Sequence, residues 1–133
     1  MRKLLMAMLL AGLLSACVTQ PSGIDSLQGT WAVTMGEHEG ESMQAVVGGV
    51  MTITGDDFQI RAASGTQLQG RLQRDSTQRP AALDFIHDNG MRWLAIYEVQ
   101  GSSLHLNYVD VVVKEPRPVE FATSDASLLL LRR

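Results

Sequence analysis

Three short runs of the chain hold side chains able to bind a metal, move a proton or attack a carbonyl. Glu37-His38-Glu39, followed by Glu41, offers carboxylates and an imidazole, the donor types of zinc and calcium sites. Adjacent residues on a strand point to opposite faces, and Gly36 and Gly40 flank the run, so a solvated loop is expected there. His87-Asp88 pairs an imidazole with a carboxylate, but it directly precedes Asn89-Gly90, a tight-turn dipeptide that Asp88 is expected to stabilise. His105 alternates with Leu104 and Leu106 and is expected at the surface. No Gly-x-Ser-x-Gly elbow and no His-Glu-x-x-His pattern occurs. The sequence therefore nominates no catalytic residue, no metal ligand and no cofactor, and it is read as a non-enzyme.

The remaining reactive group is Cys17, the single cysteine, which cannot form a disulfide within the chain. Before it, Met1-Arg2-Lys3 carries two positive charges and Leu4 to Leu14 is uncharged, the layout of a secretory leader. A spanning helix needs about 20 apolar residues, and this run ends well short of that. Leu14-Ser15-Ala16-Cys17 resembles the lipobox of bacterial lipoproteins. The resemblance implies a signal peptide over 1–16, lipid on Cys17, and a small, polar tether over 17–26. Val18 stands where aspartate marks inner-membrane retention in the best-known systems, so the resemblance implies the outer membrane, facing the periplasm. Each buried acyl CH₂ contributes about 0.8 kcal/mol, so a multiply acylated cysteine would hold the chain on a bilayer.

Cleavage after residue 16 of 133 would leave 117 residues, one domain's worth, with a core that needs no disulfide. Loss of Arg2 and Lys3 takes the formal charge from −3 to −5. A net acidic chain without a Lys/Arg cluster carries no footprint for nucleic acid and no basic patch for anionic lipid.

Apolar residues then recur at period two, which predicts half-buried strands. Trp31, Val33 and Met35 share one face. Met51–Thr54 and Phe58–Arg61 flank a Gly55-Asp56 turn, and Gln67–Arg74 alternates Leu68, Gly70 and Leu72 with polar residues. Further strands are predicted around Leu83–Phe85, over Met91–Val99, at Leu104–Tyr108 and near Ser127–Leu131, with Asn89-Gly90 and Gly101-Ser102 as turns. Both faces of Met91–Val99 are partly apolar. Pro116 and Pro118 exclude a central strand between Val111 and Phe121, leaving an edge strand or an extended loop, and only Glu41–Val47, flanked by glycines, could hold a short helix. About eight strands with short connections must be mainly antiparallel, closing as an up-and-down barrel or folding as a sandwich.

Gly29-Thr30-Trp31 at the first strand is similar to the Gly-x-Trp signature of lipocalins, in which the indole plugs one barrel end and an arginine at the end of the last strand packs on it. That resemblance assigns the arginine to Arg132. Residues 27–133 also resemble an uncharacterised lipocalin-like domain family abundant in planctomycete genomes. The matching segments are Leu27-Gln28-Gly29-Thr30-Trp31, Ile53-Thr54-Gly55-Asp56, Arg79-Pro80 with Leu83-Asp84-Phe85, Leu94 to Val99 with Gly101 and Leu104, Arg117 to Phe121, and Leu129 to Arg132. The family has no established function, so this resemblance implies a fold: all-β, a small antiparallel lipocalin-like (calycin) barrel of about eight strands.

If Trp31 points inward, parity predicts the same for Val33 and Met35, with Phe58, Ile60, Leu72, Phe85, Tyr97, Leu106 and Tyr108 as companions. These side chains either fill the barrel or line an apolar cavity in which the Tyr97 or Tyr108 hydroxyl orients a ligand. The expected function is a lipid-anchored envelope protein that holds a small lipophilic molecule in its barrel. The alternative is a protein-interaction lipoprotein, a hydrolase inhibitor or an assembly or scaffold factor, acting through loops such as Gly36–Gly48 or Asp110–Pro118.

Overall fold

The structure is a computed structural model that describes residues 24–111 and 116–133, so the leader, Cys17 and most of the tether lie outside the described residues. Its strands are β1 (Gly29–His38), β2 (Glu41–Ser42), β3 (Val50–Thr54), β4 (Asp57–Arg61), β5 (Gln67–Asp75), β6 (Ala81–His87), β7 (Arg92–Gln100), β8 (Ser103–Asp110) and β9 (Ser127–Arg132). Each pairs antiparallel with its neighbour, and β9 returns to pair with β1, closing an eight-stranded barrel with β2 as an added edge. Closure leaves the eight barrel strands without a free edge.

The predicted turns hold. Gly55 and Gly101 each open a two-residue connection with φ of 61° and 58°, the positive values that right-twisted hairpins demand. Gln28 clasps the first of these turns: its Nε2 donates to Gly55 O (3.0 Å) and its Oε1 accepts from Gly55 N (2.7 Å).

Two elements differ from the sequence expectation. Ile24–Leu27, read as tether running into the domain, forms one helical turn. Glu41–Val47, where a short helix could form, instead gives the two residues of β2 and a 3-10 turn at Gln44–Val46. The latter fits against Gly36, where an added Cβ would strike Val46 and press on Met43 and Leu129. The missing side chain admits Met43 and Val46 to the core.

The inner face carries Trp31, Met51, Ile53, Phe58, Leu72, Leu83, Phe85, Leu104, Leu106 and Leu131, all buried. A second buried layer lies on the outer face of β6–β8, where Ala82, Ile96 and Val109 alternate with core residues yet are themselves covered. The cover is the non-regular segment 116–126. Arg117 reaches under it to donate to Asp84 Oδ1 and to Ala95 O (2.9 Å), while Arg92 donates to Asp84 Oδ2 at 2.6 Å. Asn107, fully buried, donates to Ala122 O (2.7 Å) and Ser127 O (3.1 Å). Asp84 thus fastens the strap with a carboxylate that is itself largely out of water, where removal of one partner is more costly than at an exposed pair.

Candidate functional site

At one end of the barrel Trp31 is fully buried, and its Nε1 donates to Leu27 O at 2.8 Å. The guanidinium over its ring, 4.5 Å from the centroid, belongs to Arg133, not to Arg132 as expected. Strand parity explains the correction. Leu131 faces the core, so Arg132, paired with Ala32 and Ser103, faces outward, and the next residue returns to the axis. Arg133 also donates to Ser26 O (2.8 Å), Gln28 O (3.1 Å) and Gly101 O (3.1 Å), stitching three segments across this end.

Of the side chains expected inside, Val33, Phe58, Leu72, Phe85, Tyr97 and Leu106 are buried, and Ile60 and Tyr108 are half-buried against them. Met35 is not among them: it is 36 % exposed. The register of β1 against β9 shifts between Val33 and Met35, so Thr34 is an extra residue, its Oγ1 donating to Leu130 O at 3.1 Å. One bulged residue turns every later side chain to the opposite face, and Gly36 takes the inward place.

A chain of ring contacts runs round the inner face of β4, β6, β7 and β8. Phe58 meets Phe85 and His87 at centroid distances of 5.1 Å each, His87 meets Trp93 at 4.5 Å, and Trp93 stacks on Tyr108 at 4.4 Å. Trp93 shares by strand parity the inner face of Tyr97, whereas the sequence places His87 beside the Asn89-Gly90 turn rather than on the inner face. Its ring is 3 % exposed, and neither ring nitrogen has a hydrogen-bond partner among the described residues. Asn89, not Asp88, supports the adjacent turn by accepting Met91 N at 2.9 Å, whereas the Asp88 carboxylate accepts from Gln69 Nε2 at 3.1 Å.

Burial holds the His87 imidazole below its ordinary pKa, against the opposing pull of Asp110 and Asp88. The unfolded chain would take up that proton near pH 6.5, and the folded chain only at lower pH. Stability is therefore independent of this group well above pH 6.5 and is lost as pH falls from there toward the folded pKa, with a slope of at most about 1.4 kcal/mol per pH unit. Urea unfolding of the wild type between pH 7.5 and 5 should show this decline, and His87→Phe should flatten it. Burial likewise raises the phenols of Tyr97 and Tyr108, opposed by Arg74 at the first and by a hydrogen bond with Ser127 at the second.

The other polar candidates are dispersed. His38 Nδ1 lies 3.0 Å from Ser127 Oγ, and its Nε2 is 3.7 Å from the exposed Glu39. Glu37 accepts from Thr123 Oγ1 at 3.4 Å. Glu39 and Gly40, at φ 50° and 77°, form the turn between β1 and β2, so the run expected as a solvated loop is an exposed hairpin tip, with Glu37 and His38 ending β1 and Glu41 opening β2. His105 sits on the outer face as expected, but half-buried, edge-on to Phe121 of the strap at 6.3 Å.

An opening of ligand size lies away from these rings. A groove of about 920 Å³ runs along the Trp31 end, lined by Ser26 beside the helical turn, by Arg74, Ser76, Arg79, Pro80 and Ala81 around the β5–β6 connection, by Tyr97, Glu98 and Val99 of β7, and by Phe121 of the strap. Its volume falls within the range of small-molecule sites. Of these only Tyr97 is expected from the sequence as a ligand contact, because the groove depends on how the strap and the β5–β6 connection meet.

No protein-family model matches the chain, and no curated protein matches it.

Proposed function

We propose that this chain is a lipocalin-like lipoprotein, anchored through Cys17 in the bacterial outer membrane and facing the periplasm, that recognises a small molecule rather than transforming one. The observation that carries this reading is a contrast: the inward side chains are buried against one another, ring on ring from Phe58 to Tyr108, while a groove of ligand size opens at the Trp31 end beside Ser26. The seat is therefore moved from the centre of the barrel, where the sequence put it, to this groove. The capped indole supports the lipocalin-like resemblance, since Arg133 covers Trp31 as the resemblance requires of a terminal arginine.

The protein should be isolated from its own envelope and weighed intact under native conditions. Incorporation of labelled palmitate that Cys17→Ser abolishes would support the anchor. A bound small molecule of defined mass, lost in Val99→Arg, would support the groove. Unlabelled protein would contradict the first part and a ligand-free barrel the second. A protein-interaction role draws on Val119, 82 % exposed on the strap, and would be favoured if whole-cell crosslinking gave one defined protein adduct in place of the small molecule.

A further inference from the structure

Resting on the groove as the binding seat, we propose that its ligand is a single-chain amphiphile with an anionic head, the head on Arg74 and the chain along Tyr97, Val99 and Phe121. Arg74 pairs in register with Leu83, a core residue, so it stands on the inner side at the barrel mouth, beside Tyr97. Among the described residues no carboxylate lies within ion-pair distance of it. The second guanidinium, Arg79, is engaged by its own loop, with Nη1 donating to Ser76 O (2.6 Å) and Gln78 O (2.9 Å).

Among the described residues one acid lines the groove, and it does not answer Arg74. Glu98 pairs with His105 on the outer face and accepts from Gln100 Nε2 at 2.8 Å. The nearby Asp75 is committed to its own turn, accepting from Thr77 N, Thr77 Oγ1 and Gln78 Nε2. A positive point thus shares the groove with an apolar strip of Pro80, Ala81, Tyr97, Val99 and Phe121, beside the polar Ser26 and Ser76. A neutral lipophile would leave the Arg74 guanidinium without a counter-charge, and a polyanion would meet, among the described lining residues, two guanidiniums of which Arg79 is engaged by its own loop. A lone anionic head carrying a hydrocarbon chain satisfies both surfaces.

Position agrees with chemistry. Ser26 is nine positions after Cys17, a reach of at most about 32 Å in extended chain, so a lipid on Cys17 would keep the groove within about that distance of the bilayer.

The test uses the full lipidated chain in its own membrane vesicles and two photoprobes with the same 12-carbon, diazirine-tipped chain, one a carboxylate and one an alcohol. Labelled peptides are mapped by mass spectrometry. The carboxylate should label the Tyr97–Val99 segment or Phe121 about tenfold more than the alcohol, the factor that one charge-assisted hydrogen bond allows. Arg74→Gln should reduce carboxylate labelling to the alcohol level, and Arg132→Gln, on the outer face, should not. Equal labelling by both probes within the groove, indifferent to Arg74→Gln, would overturn the anionic-head inference and leave the groove standing. Labelling concentrated on Leu72 and Leu106 would overturn the groove itself.

Discussion

Trp31→Ala should lower the stability of the domain by about 4 kcal/mol, the middle of the range for truncating a buried tryptophan. At this chain length that corresponds to a fall in Tm of roughly 15 °C. The side chain is fully buried, its Nε1 proton is taken by Leu27 O, and Arg133 lies over its face. Truncation leaves the Leu27 carbonyl without this donor and removes the surface on which Arg133 rests. Arg133→Ala should cost less, about 1 to 2 kcal/mol, because it removes the cation–π contact and exposed hydrogen bonds but opens no core cavity. Calorimetry on the two variants separates the plug from its cover. A loss below about 1 kcal/mol for Trp31→Ala would mean that the indole does not seal this end.

Gly70→Ala should be nearly as damaging, at about 3 kcal/mol, although it adds a single methyl. Gly70 lies on the inner face of β5, paired with Phe58 on one side and His87 on the other. With no side chain between them, those two rings close over the glycine at 5.1 Å. A Cβ there would fall on the Ile86 carbonyl and within 2.8 Å of His87 Cα, so backbone must move as well as rings. Backbone has less freedom to yield than a side chain, which places this change at the upper end of overpacking costs. Urea unfolding should show the loss, and the methyl signals of Leu72, which pairs in register with Phe85, should move with it. Alanine tolerated within 0.5 kcal/mol would contradict the ring-over-glycine packing.

Much of the barrel was legible because its signals are local. Period-two alternation located the eight barrel strands, and Gly55-Asp56, Asn89-Gly90 and Gly101-Ser102 located the tight connections. What escaped was what depends on partners. The bulge at Thr34 leaves the alternation of β1 intact in sequence and shows itself only against β9, which is why Met35 was placed inside. Arg132 and Arg133 are adjacent arginines whose roles follow from which way Leu131 points. His87 looked like part of a turn because Asn89-Gly90 follows it, yet the glycine opposite leaves room for an imidazole in the core.

The strap over β6–β8 did leave a trace. Leu94 and Ile96 make the outer face of β7 apolar, a pattern that asks for a cover, and Asp84 between Leu83 and Phe85 is an acid that asks for a partner once that cover arrives. Nothing in the spacing of Arg117 identifies it as that partner, 33 residues away. The groove inherits this difficulty, since Phe121 and Arg74 meet along it only after the strap is laid down.

Whether the axis of the barrel is solid is the point on which the placement of any ligand turns, and xenon reports it most directly because it enters dry apolar voids. Methyl NMR of the mature chain under increasing xenon pressure should leave Leu72 and Leu106 unmoved apart from a weak linear drift. Saturable shifts at those two residues would reveal an internal cavity and return the ligand to the centre of the barrel.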